Sequence, residues 1–468
     1  MTNPITTRMM PALVGMALGT SVLAFSAKAL LLLVAAMIGM ALAASSVATY
    51  YALVTTIPVQ VDFIGGLTVT KMIIPFCLAV VGFNALIGRG PWPTFTCGPG
   101  GYLAGVFLIA SAVSPMIQEK PFQSLAEVAA VAVYGSLFFL TLTFNRTPEQ
   151  FRRLLWVIAI AGTVEAVITA AQVHYGFVMP GAWRSDLGQT NQEMGDGAFS
   201  AILDGKIRAE GTTDHPILLA SYYLLTIPCT ACLWLIEERQ WPRFLLAGMV
   251  ALMSYGWYYT FARSSMIGFA IMIVVAVSFY SKAARPLVYV GIGLLLMGLL
   301  SYSAISDTFW AGVDAFGKLR WFERADVNSA SDSWQFRIES IVGGWNLLWA
   351  HPWLGVGFGQ SIWHYMRYLP SWANHPFHPA TIHNVFLQVG SELGVVSLMA
   401  FLGLWVWAFV CVRRGLRLPV LRPYAVLMCA LLLGQMAFLM ITPMVREIWL
   451  TLPMAMALGY MGGNKTDQ

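Results

Sequence analysis

Long apolar runs separated by short polar connections set the pattern of this chain. Runs of about 20 apolar residues, the length that crosses a hydrocarbon core as a helix, fall at roughly 30–50, 67–88, 100–117, 124–144, 154–173, 215–236, 243–261, 265–281, 286–304, 383–411, 423–441 and 446–461. They predict an all-α polytopic membrane protein with about twelve transmembrane helices. A further apolar run at 11–27 is expected in-plane or shallow, because its crossing would put Arg8 on the wrong side.

Two connections break the pattern by being long and polar, 174–214 and 305–382. The chain thus divides into helices with one loop (1–304, loop 174–214), a large loop (305–382) and C-terminal helices (383–468). Within the large loop, residues 334–350 predict an amphipathic helix. Its apolar face would hold Phe336, Ile338, Ile341, Trp345, Leu348 and Trp349, opposite Gln335, Arg337, Glu339 and Asn346. Gly355, Gly357 and Gly359 then predict a turn, and a His- and aromatic-rich stretch runs from Trp363 to His378. The loop is too short and too apolar for a separate soluble domain, so it is expected to lie across the membrane surface. The smaller loop closes on RAEGTTDHP, residues 208–216, with Asp214 placed to cap the next helix and Pro216 in its first turn.

Charge orients the runs. Arg89, then Arg146, Arg152 and Arg153, then Arg239 and Arg243, then Lys282 and Arg285, and last Arg413, Arg414, Arg417 and Arg422 fall in alternate short connections. The positive-inside rule makes that side cytoplasmic, with both chain ends. The two long loops then face the other side. Composition agrees: the 468 residues are 58% hydrophobic and only 10% charged, against about 25% charged in soluble domains. The net charge of +5 sits largely in those short connections, and no Lys/Arg-rich run tracks a nucleic acid. The six cysteines lie in or beside apolar runs and read as packing residues.

Four arginines fall near helix ends on the long-loop side: Arg208, Arg263, Arg337 and Arg446. A cation this close to hydrocarbon is costly without a partner. Snorkelling or an ion pair satisfies some, and Arg446, followed by Glu447, fits that reading. Arg263, in FARSS, has no carboxylate nearby in sequence. Arginines without matching acids read as a phosphate site, because guanidinium binds phosphate oxygens bidentately.

His383 opens the helix HNVFLQVGSELG, with Leu387, Gly390 and Gly394 on its face. Gly390 and Gly394 form a small-xxx-small pair that would admit a neighbouring helix. The plain alternative for His383 is an interfacial ring or a cap. Glu392 lies about 13 Å further along the axis and is not its expected partner. His364, His375, His378 and His383 are close in sequence, but no HExxH or cysteine pair accompanies them, so no metal site is expected. No G-x-S-x-G, Walker A or helix-opening GxGxxG occurs, and no cofactor is expected. Lys71 and Glu165 stand as isolated ionisable groups within apolar runs, the feature an anionic-solute transporter would want. The absence of an inverted repeat counts against transport.

These residues resemble the O-antigen ligases (WaaL type) of the O-antigen ligase/polymerase superfamily. The family's His-Asn, nine residues, Gly pattern is met at His383, Asn384 and Gly394, with Ser397 departing at the last place. RAEGTTDHP from Arg208, FARSS with Arg263, and Arg337 followed by HPWLGVGFGQ also look like the family, in the same order. The resemblance implies a GT-C-like glycosyltransferase of the bacterial inner membrane with its active site on the periplasmic face. It would move O-antigen from undecaprenyl pyrophosphate to lipid A-core, inverting, without metal or ATP. His383 would be the catalytic base, and Arg208, Arg263 and Arg337 would bind the pyrophosphate. O-antigen polymerases and protein O-oligosaccharyltransferases share the donor and differ in the acceptor.

Overall fold

A computed structural model describes residues 45–59, 62–64, 67–92, 98–114, 125–175, 202–203, 206–213, 215–280, 330–373 and 382–463. The apolar runs at 11–27 and 286–304, the first part of the run at 30–50, most of the loop 174–214 including Asp214, and residues 305–329 and 374–381 of the large loop, with His375 and His378, lie outside them. The elements in chain order are α1 (Ser46–Thr55), hairpin β1–β2 (Asp62–Ile64, Leu67–Thr68), α2 (Val69–Leu86), α3 (Gly98–Val113), α4 (Leu125–Phe144) and α5 (Pro148–Tyr175). Then follow hairpin β3–β4 (Ile202–Leu203, Lys206–Ile207), α6 (Pro216–Ile236), α7 (Gln240–Tyr258) and α8 (Arg263–Tyr280). The last are α9 (Ala330–Ala350), α10 (Ser361–His364) with a 3-10 turn (Tyr365–Tyr368), α11 (Val385–Leu416), α12 (Arg422–Leu439) and α13 (Ile448–Gly463).

The protein is helical, as the apolar runs predict, with two small antiparallel hairpins that the runs do not reveal. Among the described residues four helices, α5, α6, α11 and α12, are long and apolar enough to cross a membrane. Shorter apolar helices coincide with predicted runs at α2, α3, α4, α8 and α13. Local chemistry fixes several starts. Thr147 and Gln150 form a reciprocal cap before α5: the Gln150 N–H donates to Thr147 Oγ1, and Gln150 Oε1 accepts from the Thr147 N–H. His215 rather than Asp214 caps α6, its Nδ1 accepting from the Ile217 N–H at 3.1 Å, and Pro216 occupies the first turn as expected.

The main core cluster contains Trp449, and a smaller separate one gathers Leu347, Val356, Tyr365 and Ile382 around α9. The indole is fully buried and stacks on Tyr134 at 5.3 Å, with Phe107 at 5.0 Å and Phe401 at 6.4 Å. One ring system thereby joins α3, α4, α11 and α13, which fixes the end of the bundle where α13 begins. At the opposite end Arg152 pairs with Glu237, and Phe151 packs on Tyr424 at 5.2 Å. Arg243 and Arg414 lie over the Trp234 and Trp407 rings, each at 5.2 Å. The arginine-bearing ends of α5, α6, α7, α11 and α12 thus gather at one pole, and chain direction puts the starts of α6, α8, α11 and α13 at the other.

The amphipathic helix in the large loop forms, but its predicted face is turned. Glu339, Ser340, Leu347 and Leu348 are buried, while Trp345 and Trp349 are exposed. Gly343 and Gly344 explain the rotation. A Cβ on Gly344 would lie 2.9 Å from the Ile382 side chain, and one on Gly343 3.1 Å from Leu369. The glycine edge admits close packing, so it faces inward and the bulky indoles face outward. Gln335 and Phe336 lie outside the described side chains.

Candidate functional site

Helix α11 begins after His383, not at it. Asn384 is the cap, its Oδ1 accepting from the Leu387 N–H at 3.0 Å. The same side chain turns its amide to the Met440 carbonyl at 3.1 Å, tying the start of α11 to the outer end of α12. One turn on, Gln388 Oε1 accepts from the Met444 N–H at 3.0 Å. His383 is held just ahead of this double tie, buried, with its backbone N–H donating to Ser340 Oγ at 2.8 Å. Ser340 lies one turn beyond Arg337 on α9, so α9 brings Arg337 to the same neighbourhood as His383.

Arg208 is held at a second corner, against the turn that leads into Arg263. Arg208 is buried, and its Nε donates to the Thr260 carbonyl at 3.2 Å. The next residue repeats the attachment: the Ala209 N–H donates to the Tyr259 carbonyl at 3.0 Å. Arg263 opens α8 three residues beyond Thr260. Between them Phe261 has φ +50, a left-handed conformation uncommon outside glycine. Such positions cluster where a chain is held for function. Arg263 is half-buried and makes no ion pair within 4.0 Å among the described residues.

The two corners are joined through α12. Its outer end receives Asn384, while its middle packs against α8, where Gly268 and Gly434 approach so closely that a Cβ on Gly434 would lie 2.7 Å from the Gly268 carbonyl oxygen. All four predicted residues therefore sit at the same pole: Arg208 is tied to the turn that precedes Arg263, and Arg337 lies one turn from the serine that holds the His383 backbone.

Glu165 is not isolated. It is buried in α5 and accepts from both the backbone N–H and the hydroxyl of Thr212, the hydroxyl at 2.9 Å. Two turns along, Gln172 exchanges both hydrogen bonds with the Gly211 backbone, at 2.9 and 3.0 Å. Residues 211–212 are thus clasped to α5, three residues from Arg208. The sequence shows Glu165 only as a charge in an apolar run. That charge is the signal, and its partner becomes visible only in the fold. Lys71 lies half-buried in α2.

Gly394 has a different role from the one its spacing predicts. It breaks α11 with φ +79, and a Cβ there would lie 2.0 Å from the Trp353 carbonyl oxygen. The turn 352–361 inserts into this break. Val395 N–H donates to the Pro352 carbonyl at 2.7 Å, and Val356 and Gly357 N–H donate to the Ser391 and Glu392 carbonyls, each at 2.9 Å. The Glu392 carboxylate accepts from the Gly359 N–H at 3.0 Å and from the Ser361 hydroxyl. Gly390 does admit a neighbouring helix, with Leu348 of α9 within 3.3 Å of its missing Cβ.

Among the described residues Arg446 makes no ion pair within 4.0 Å, with Glu447 or with a distant acid; Glu447 is buried and Arg446 half-buried. Among the described residues no three His, Cys, Asp or Glu side chains gather into a metal-binding set.

Residues 248–402 match a protein family described as O-antigen ligase. Arg263, Arg337 and His383 fall inside that stretch, and Arg208 falls before it. No curated protein matches the chain.

Proposed function

We propose that this chain, whose residues 248–402 match a family described as O-antigen ligase, is an O-antigen ligase of the ligase/polymerase superfamily. It transfers O-antigen from undecaprenyl pyrophosphate to a sugar hydroxyl of lipid A-core, at the periplasmic face of the inner membrane. The observation that carries the reading is the gathering of His383, Arg337, Arg208 and Arg263 at one pole of the bundle. About twelve spans with the large loop over this pole complete the architecture.

The chemistry follows from what each group does. The donor is a glycosyl pyrophosphate and already activated, so no ATP is required. His383 removes the proton from the acceptor hydroxyl. The freed oxygen attacks the anomeric carbon while the bond from that carbon to the pyrophosphate oxygen breaks. The negative charge that develops on the leaving pyrophosphate is met by Arg208, Arg263 and Arg337, fixed cations that need no reorganisation as the bond breaks. A single displacement inverts the anomeric carbon.

The same donor serves an O-antigen polymerase or a protein O-oligosaccharyltransferase, and the matched family spans ligase and polymerase activities. The His383-Asn384…Gly394 pattern favours the ligase. Purified protein mixed with undecaprenyl-pyrophosphate-linked glycan and lipid A-core tests it directly. Transfer onto lipid A-core that disappears in His383→Ala supports the ligase and its base. No transfer with a verified donor removes the ligase. In cells, loss of the gene leaves bare lipid A-core if the chain is a ligase, and core carrying one repeat if it is a polymerase.

A further inference from the structure

The outward face of the segment over the site is made of tryptophan. Trp345 is 51% exposed, Trp349 63%, Trp353 75% and Leu354 66%. Trp345 and Trp349 stand one turn apart on α9, their rings 5.7 Å from each other. So much exposed indole in one stretch calls for a covering partner.

The height of this stretch identifies the partner. From Arg413 to Gly394, α11 climbs about 28 Å at 1.5 Å per residue, close to one hydrocarbon thickness of about 30 Å. From Arg422 to Leu439, α12 climbs about 26 Å, and Met440 then receives the Asn384 side chain. Gly394 and Asn384 therefore stand at nearly the same height above the arginine pole. The first turns of α11 run sideways, and the break at Gly394 is where the helix turns down. Trp353 and Leu354 are seated at that break. Immediately below, α11 exposes Val396, Met399 and Val406, an apolar stripe on a helix long enough to span. The tryptophans continue this stripe upward at the level where hydrocarbon gives way to headgroups. Tryptophan concentrates at that level because its ring is apolar and its N–H wants water or a headgroup.

We infer that Trp345, Trp349, Trp353 and Leu354 form a membrane anchor seated in the outer-leaflet headgroup boundary, and that phospholipid is what covers this face. The opposite face of α9 carries Ser340, which holds the His383 backbone. Lipid contact on one side of α9 thus sets the position of the site on the other. This inference rests on the spanning helices and not on the transfer chemistry.

The test is depth measurement in nanodiscs of phosphatidylethanolamine and phosphatidylglycerol, on protein whose native cysteines are replaced. Spin labels are placed singly by Trp349→Cys, Trp353→Cys, Met399→Cys and Arg367→Cys. Collision with oxygen against a water-soluble nickel chelate should put positions 349 and 353 at the phosphate level or below it, near 399 and apart from 367. Readings at 349 and 353 like that at 367 overturn the anchor. So does shielding from both reagents, which indicates a protein partner. A second measurement needs no cysteine: brominated phospholipid should quench native tryptophan emission more than that of the Trp345→Phe, Trp349→Phe, Trp353→Phe triple variant. Equal quenching overturns the anchor as well.

Discussion

The carboxylate of Glu165, buried within α5, accepts both the backbone N–H and the hydroxyl of Thr212. A charge inside a membrane helix is expensive, and it persists where it has a task. Here the task is to fasten the strip that carries Arg208. Removing the carboxylate strands a buried backbone N–H, at a cost of about 1–3 kcal/mol. Glu165→Ala should therefore lower transfer at least tenfold, with a raised KM for the lipid pyrophosphate. Glu165→Gln, which keeps one accepting oxygen, should recover much of the loss. Steady-state kinetics on the two purified variants check this, and wild-type KM in Glu165→Ala would detach the clasp from the anion site.

The break at Gly394 makes a second claim measurable. A methyl group there meets the Trp353 carbonyl oxygen at 2.0 Å and must also accept φ +79. A non-glycine residue forced into such a conformation costs on the order of 1–3 kcal/mol before any clash. At Gly390 the neighbours are the ends of Leu348 and Leu398, which can shift. Gly394→Ala should thus lower the melting temperature in detergent well below that of Gly390→Ala. Equal losses would restore the reading in which both glycines merely line a helix seam.

Much of this was legible in the sequence. The apolar runs anticipate the helices because a membrane helix announces itself by length and composition, and four stretches in order anticipate the pole where Arg208, Arg263, Arg337 and His383 gather. The misreadings have separate physical origins. The amphipathic pattern of α9 assumes that bulky apolar residues face inward, which holds in water and fails beside lipid, where Trp345 and Trp349 turn out and Gly343 and Gly344 pack inside. Gly394 looks like a seam residue because spacing does not reveal a positive φ. Glu165 looks alone because Thr212 is distant in sequence.

Arg208 and Arg263 differ in what lysine can replace. Arg208 uses its Nε on the Thr260 carbonyl, and in the proposed reaction the same planar fork also meets phosphate. An ammonium group cannot serve both from one stem. Arg208→Lys should lose at least tenfold in kcat/KM at unchanged expression, and Arg263→Lys should lose less than Arg208→Lys. Turnover equal to wild type in either variant would remove that arginine from the pyrophosphate site.

In the proposed reaction the donor's own pyrophosphate is the leaving group, and Arg208, Arg263 and Arg337 take the part that a divalent ion would otherwise play. Chelation by EDTA should leave the transfer rate within twofold of the untreated rate. A strict requirement for magnesium or manganese, restored on adding the ion back, would overturn the arginine-only account.

Asn384 separates folding from positioning. Its Oδ1 caps α11, while its amide reaches the Met440 carbonyl. Asn384→Ser keeps a capping oxygen, so stability should change by less than the ~1 kcal/mol typical of a lost cap, but the shorter side chain does not span to Met440. The residue before it, His383, then loses one of the ties that fix its height. The expected signature is a fall in kcat of severalfold with a melting temperature close to wild type, while Asn384→Ala lowers both. A serine variant with full turnover would show that the tie to Met440 has no part in placing His383.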